Sequence, residues 1–259
     1  MEIRELENSL KVKNSENNLD KKLKDDIPEP LPNYSGFNMV IAGASGSGKT
    51  TLLYSLMTRK KFKGKRTSYR KAFDHIYIVS PTMANSSIKN DPFTKGIKKN
   101  QIYRTLDLET LNELEEILEE NRDEEENSVI IFDDVGSQLR KSAAVEKKLT
   151  QIVQNRRHLF CSTIFLVQRF RDIGTGIRNN MSHFITFRPK NLPEEESIMK
   201  ELFPFSSKDT KKIFDYVFER DEKGDKYSFL FVDMSLKHSS KYLYYKNFNK
   251  LELDNKKEN

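Results

Sequence analysis

The stretch that most constrains this chain is residues 37–51, FNMVIAGASGSGKTT. A short apolar run, Met39 to Ala42, stops at Gly43; Ala44, Ser45, Gly46, Ser47, Gly48, Lys49 and Thr50 follow. The spacing fits G-x-x-x-x-G-K-[ST], a phosphate-binding loop set between a strand and a helix. The chemistry explains each residue type. Glycines let the backbone curl until successive N–H groups point inward at β- and γ-phosphates. A helix opening near Gly48 adds the positive end of its dipole. Lys49 supplies a point charge for the same oxygens, and the Thr50 hydroxyl can ligate Mg²⁺. Leu52, Leu53, Leu56 and Met57 continue at helical spacing, so the loop has the strand–turn–helix context it requires. The expected nucleotide-binding set therefore runs from Gly43 through Lys49, Thr50 and Thr51.

The rest of the chain alternates strand and helix patterns. Apolar strand-like runs occupy 75–80, 129–133, 161–167 and 183–187, and a short strand is expected within 101–106. Helical spacing marks 108–121, 142–155, 194–203 and 207–218, with one helical turn at 177–180, and 228–233 with 241–245 reads as a terminal strand pair. Several strands are apolar without alternation, as in a parallel sheet buried on both faces. The predicted fold class is α/β, a parallel-sheet core with helices on both faces. Residues 1–33 are polar, mixed in charge and end in Pro28, Pro30 and Pro32; they read as a mobile arm. Residues 34–259 read as one domain, with a core at 37–188 and a C-terminal extension at 189–259.

Composition excludes some classes. A single cysteine, Cys161, rules out an internal disulfide and suits a reducing compartment. The four histidines do not cluster with it, so no metal-ligand spacing exists. No apolar run approaches the roughly 18 residues of a membrane span, and residues 1–26 contain no signal-peptide core. A soluble intracellular protein is expected. The net charge of +6 permits an anionic partner without identifying one. Residues 58–71, TRKKFKGKRTSYRK, hold eight basic residues and no acid, with Phe62 and Tyr69 interleaved. Such a run either tracks a phosphate backbone or is a solvated loop.

Two carboxylates, Asp133 and Asp134, end the apolar run VIIFDD. Ligands of open α/β sheets bind at that end of the strands. Beside a phosphate loop, Asp133 is expected to hold Mg²⁺ through water and Asp134 to polarise the attacking water. Gln168 closes the next core strand and can contact the γ-phosphate or that water. Hydrolysis with water as acceptor is thus favoured over phosphotransfer to a small molecule. A nucleotide-dependent assembly or signalling switch stays open as a second reading.

Taken together, NMVIAGASGSGKTTLL (38–53), IYIVSPT (76–82), VIIFDDV (129–135), NRRH (155–158), TIFLVQRF (163–170) and IRNN (177–180) resemble the viral genome-packaging ATPases of the FtsK–HerA superfamily, found in poxviruses, other large DNA viruses and virophages. The resemblance covers about 37–188. It implies a P-loop fold with an additional strand, the one ending in Gln168, between the Walker A and Walker B strands. It also implies ATP and Mg²⁺ as cofactors, a homo-oligomeric ring, and transport of double-stranded DNA into a capsid. Partners would include DNA, other copies of the chain, and capsid or portal-vertex proteins. The setting would be the host cytoplasm (a viral factory) or the virion. Asp134 stands where bacterial relatives often carry Glu. A ring motor needs an arginine acting across the subunit boundary, and Arg157, then Arg178, then Arg156 are the candidates. Residues 155–158 are expected at the ligand-binding end of the sheet.

Overall fold

The computed structural model describes residues 21–24, 27–58, 69, 71–81, 97–219, 227–236 and 241–253. The strands in chain order are β1 (Asn38–Ala42), β2 (His75–Val79), β3 (Ile102–Tyr103), β4 (Ser128–Asp133), β5 (Cys161–Val167), β6 (His183–Phe187), β7 (Phe229–Asp233), β8 (Leu243–Lys246) and β9 (Asn249–Lys250). The helices are α1 (Lys49–Thr58), α2 (Leu108–Asp123), α3 (Gly136–Lys141), α4 (Ala143–Asn155), α5 (Thr175–Arg178), α6 (Leu192–Leu202) and α7 (Ser207–Phe218). The strands form one sheet in the order β3-β2-β4-β5-β1-β6-β7-β8-β9. From β3 to β6 the pairing is parallel; β7, β8 and β9 add an antiparallel edge. The expected α/β class holds, with a mixed rather than wholly parallel sheet. As the resemblance implied, β5 lies between β1 and β4.

Alternate residues of each central strand feed two cores, as the two-residue period requires. Val40, Phe132 and Phe165 face one side, with Leu111, Leu114, Leu149 and Ile152 of α2 and α4 packed over them. Phe132 and Phe165 stack with centroids 4.7 Å apart. Met39, Ile41, Ile131 and Ile164 face the other side. That face is covered differently from expectation. Among the described residues only α1 lies there as a helix; the remainder of the cover is Leu23, Ile27, Leu31, Tyr34, Tyr69 and Phe73, from irregular segments.

The described part of the expected mobile arm, 21–24 and 27–33, is therefore part of the core. Leu23 and Ile27 are each 3% exposed. Backbone bonds from Leu23 N–H to Asn33 and from Ser35 N–H to Lys21 fold the segment back on itself. Lys24 pairs with Asp74. Spaced single leucines in a charged stretch leave a weak sequence signal, yet each is a full side chain for a sheet face with little other cover. Tyr69 also departs from expectation. Instead of offering a ring for stacking on nucleic acid, it is wholly buried, packs on Phe37 and Phe73, and donates its hydroxyl to the Pro32 carbonyl. Burial raises its pKa well above the usual tyrosine value. The rest of the basic stretch, apart from Thr58 and Lys71, lies outside the described residues.

Candidate active site

Parallel pairing of β1, β2, β4, β5 and β6 brings five strand ends to one edge. The phosphate loop follows β1, Ser80 follows β2, Asp133 and Asp134 end β4, Gln168 follows β5, and Phe187 ends β6. The site is assembled by topology, because these residues are far apart along the chain.

The loop has the shape its composition demands. Gly48 has φ +107°, a region that side chains avoid. At Gly43 close approach is the reason for glycine: a Cβ there would lie 2.6 Å from Ser47 Oγ and 3.0 Å from Phe187 Cβ. Helix α1 begins at Lys49, so Thr50 and Thr51 sit in its first turn. The Lys49 ammonium donates to the carbonyls of Gly43 at 2.6 Å and Ala44 at 3.1 Å. Burial lowers its pKa, and Asp133 and Asp134 act in the opposite direction. The Ser47 hydroxyl is buried with no hydrogen-bond partner among the described residues. A buried polar atom without a partner costs free energy, and a bound phosphate oxygen would satisfy it.

Ser80 donates its hydroxyl to Asp133 Oδ2 at 3.0 Å and so fixes that carboxylate. Sequence reading missed Ser80; its place at the end of a core strand was the available signal. Asp134 has φ +54°, a left-handed conformation rare outside glycine, asparagine and aspartate. Its N–H bonds to the Leu166 carbonyl of β5, and this turn swings the side chain toward Gln168. Gln168 Nε2 donates to Asp134 Oδ1 at 3.2 Å and to Oδ2 at 3.3 Å. The contact exists because β5 is the neighbour of β4. The donor set near the loop, the Thr50 hydroxyl and the Asp133 carboxylate, is oxygen only, which fits Mg²⁺.

Beyond Asp134 lies a cleft of about 470 Å³, bounded by Gly43, Ala44 and Ser45 on one side and by α3 and the turn after β5 on the other. Arg140, Arg169 and Asp172 line it. None of these stands out in the sequence, although Arg169 directly follows Gln168. Helix α3 itself, GSQLRK, carries only one buried apolar side chain, Leu139, too weak a pattern to register.

The arginines expected to act across a subunit boundary are elsewhere. The link from α4 to β5 reaches the amino ends of the strands, opposite the phosphate loop. Arg156 Nε donates to the carbonyl of Gly36, just before β1, at 2.9 Å, and a Cβ at Gly36 would lie 3.0 Å from Arg157 Cα. The expectation that 155–158 lie at the ligand-binding end is wrong: in a parallel sheet, strand-to-helix links lie at one edge and helix-to-strand links at the other. Seven residues of β5 separate Arg157 from Gln168, roughly 20 Å at strand rise. Arg178 is held internally. It bonds Glu201 at 2.9 Å and the Ile173 carbonyl at 2.6 Å, and lies over the Phe170 ring. Its side chain is only 13% exposed.

Comparisons with known proteins agree with this geometry. The family model described as Poxvirus A32 protein matches residues 31–259. The DNA packaging protein OPG160 of variola virus is 28% identical over 178 residues, covering 64% of this chain and 58% of that protein; the vaccinia virus protein aligns to the same extent. The chain thus spans little more than half the length of these relatives. Among solved structures, the DNA-packaging ATPase B204 from Sulfolobus Turreted Icosahedral Virus superposes with a TM-score of 0.52 at 16% identity, covering 85% of this chain and 99% of that one. B204 from Sulfolobus turreted icosahedral virus 2 in complex with ATP-gammaS gives 0.50 at 16% identity, covering 81% and 97%. At such identities the likeness speaks to the fold.

Proposed function

The chain belongs to the poxvirus A32 protein family, and from that premise we propose that it is an ATP-hydrolysing motor that moves double-stranded DNA into a viral capsid. The observation that carries this reading is the Gln168 amide on the Asp134 carboxylate, beside the phosphate loop. A loop alone binds nucleotide; a carboxylate and an amide placed past the terminal phosphate orient and deprotonate water. In this mechanism the loop N–H groups and the Ser47 hydroxyl hold the phosphates, and Lys49 exchanges its carbonyl partners for β/γ oxygens. Asp134 accepts the water proton, and Gln168 fixes the water and the carboxylate together. Thr50 and Asp133 would hold Mg²⁺, which neutralises charge on the phosphate oxygens when bound.

The relatives are named for DNA packaging, which supports DNA and capsid-vertex proteins as partners, at a virion-assembly site in the host cytoplasm; a ring of copies of this chain is part of the same proposal. Among the described residues no helix is long and apolar enough to cross a membrane. Lys241 and Lys250 are exposed at the antiparallel edge, and Lys246 there donates to the Tyr216 carbonyl and lies over its ring. The test is ATP turnover with and without duplex DNA, with Lys49→Ala as the control. Turnover should rise with DNA and vanish in Lys49→Ala. Neutralising the 58–71 stretch should lower the salt slope of DNA binding by about 1 for each DNA phosphate that is no longer neutralised. Turnover indifferent to DNA would favour the assembly-switch reading instead.

A further inference from the structure

We propose that Arg140 and Arg169 form a phosphate clamp within the same subunit, receiving the terminal phosphate of the nucleoside triphosphate, with Asp172 as the carboxylate that competes with that phosphate for them. The inference rests on the nucleotide-hydrolysing reading of the site. The two arginines reach the cleft from different directions. Arg140 is on α3, which begins two residues after Asp134; Arg169 directly follows Gln168. Both share one carboxylate oxygen. Arg140 Nη1 lies 2.5 Å from Asp172 Oδ1, and Arg169 reaches the same atom at 3.0 Å through Nη2 and 3.2 Å through Nε. The other oxygen, Oδ2, accepts the Arg169 N–H at 3.1 Å. Asp172 is thereby anchored by backbone and is only 10% exposed, whereas the arginines are 52% and 61% exposed. Gly136 makes room for it: a Cβ there would lie 2.8 Å from Asp172 Cβ.

Within this cluster one buried carboxylate faces two guanidinium groups. A guanidinium offers five N–H donors in a planar fork suited to phosphate. The described contacts with Asp172 engage one side-chain donor nitrogen of Arg140 and two of Arg169. Around them stand Lys190, Asp134 and Glu194, the last receiving the Phe170 N–H and held above the usual carboxyl range by burial. The cleft opens from the loop residues Gly43, Ala44 and Ser45 past Asp134 and Gln168. A triphosphate extends one phosphate further toward the arginines than a diphosphate does, so the clamp distinguishes the two.

The test measures affinities of the full chain for a non-hydrolysable ATP analogue and for ADP, in wild type, R140A, R169A, R169K and D172N. With the clamp, R140A and R169A should lose roughly tenfold or more in analogue affinity, the size of one charge-assisted hydrogen bond, while ADP affinity stays within about twofold. R169K should recover part of the loss, since it restores charge without the fork. D172N should keep or raise analogue affinity, because it removes a carboxylate that competes with phosphate. If the analogue-to-ADP ratio is unchanged in both arginine variants, the clamp is overturned and the cluster is a structural bridge. A D172N chain that loses analogue affinity in step with the arginine variants overturns it equally. A wild-type chain that binds neither nucleotide refutes the hydrolase reading and the clamp with it; wild-type preference for the analogue with indifferent variants refutes the clamp alone.

Discussion

Asp134 combines a role in the reaction with a backbone conformation that few residues accept, and Asp134→Asn separates the two. Its φ of +54° would cost an ordinary residue roughly 1–2 kcal/mol. Asn tolerates that region as well as Asp does, so Asp134→Asn should melt within a degree or two of wild type. The Asn side-chain oxygen can still accept from Gln168 Nε2, but it cannot take a proton from water. Loss of a positioned general base costs about 10²–10⁴ in rate. Asp134→Ala should lose as much rate and also roughly 1 kcal/mol of stability, about 2–4 °C in Tm for a chain of this size. Single-turnover hydrolysis, analogue binding and thermal melts on both variants give the three readings. If Asp134→Asn loses nucleotide affinity in proportion to turnover, Asp134 is a metal ligand or a structural residue. If it keeps wild-type turnover, the base is another group.

Three further outcomes follow from the same geometry. Arg157 lies across the sheet from its own phosphate loop, so any role in hydrolysis must be played in a neighbouring subunit. Arg157→Ala should therefore fold and bind nucleotide but turn over poorly, and mixing it with Lys49→Ala subunits should exceed the sum of the parents once exchange is confirmed; no gain at any ratio refutes this. Leu23→Ala should cost at least roughly 2 kcal/mol in denaturant unfolding, as for other buried leucines, whereas a mobile arm would give no change. Burial pushes the Cys161 thiol up to about 12, so at pH 8 almost none is thiolate in the folded chain. Alkylation should then proceed only at the rate of unfolding and rise sharply in denaturant; fast labelling of the native protein would contradict the packing of β5.

The phosphate loop was legible in the sequence because its chemistry is local. Backbone curl, helix start and Lys49 all fall within a dozen consecutive residues, and spacing alone expresses them. Asp133, Asp134 and Gln168 were legible as strand ends, since an apolar run that stops at a polar residue marks the edge of a sheet. The resemblance to packaging ATPases supplied the strand order that brings Gln168 to Asp134, which periodicity could not. Three features needed the tertiary structure. Arg157 was misplaced because a linear reading does not register on which edge of the sheet a connection emerges. Leu23, Ile27 and Tyr69 looked like arm and surface because burial depends on what the opposite face of the sheet lacks, here helices. Arg140, Arg169 and Asp172 had no shared signal, for they meet only when α3 and the turn after β5 fold onto the same cleft. Local geometry is written in neighbouring residues, whereas long-range contact is decided by which strands pair.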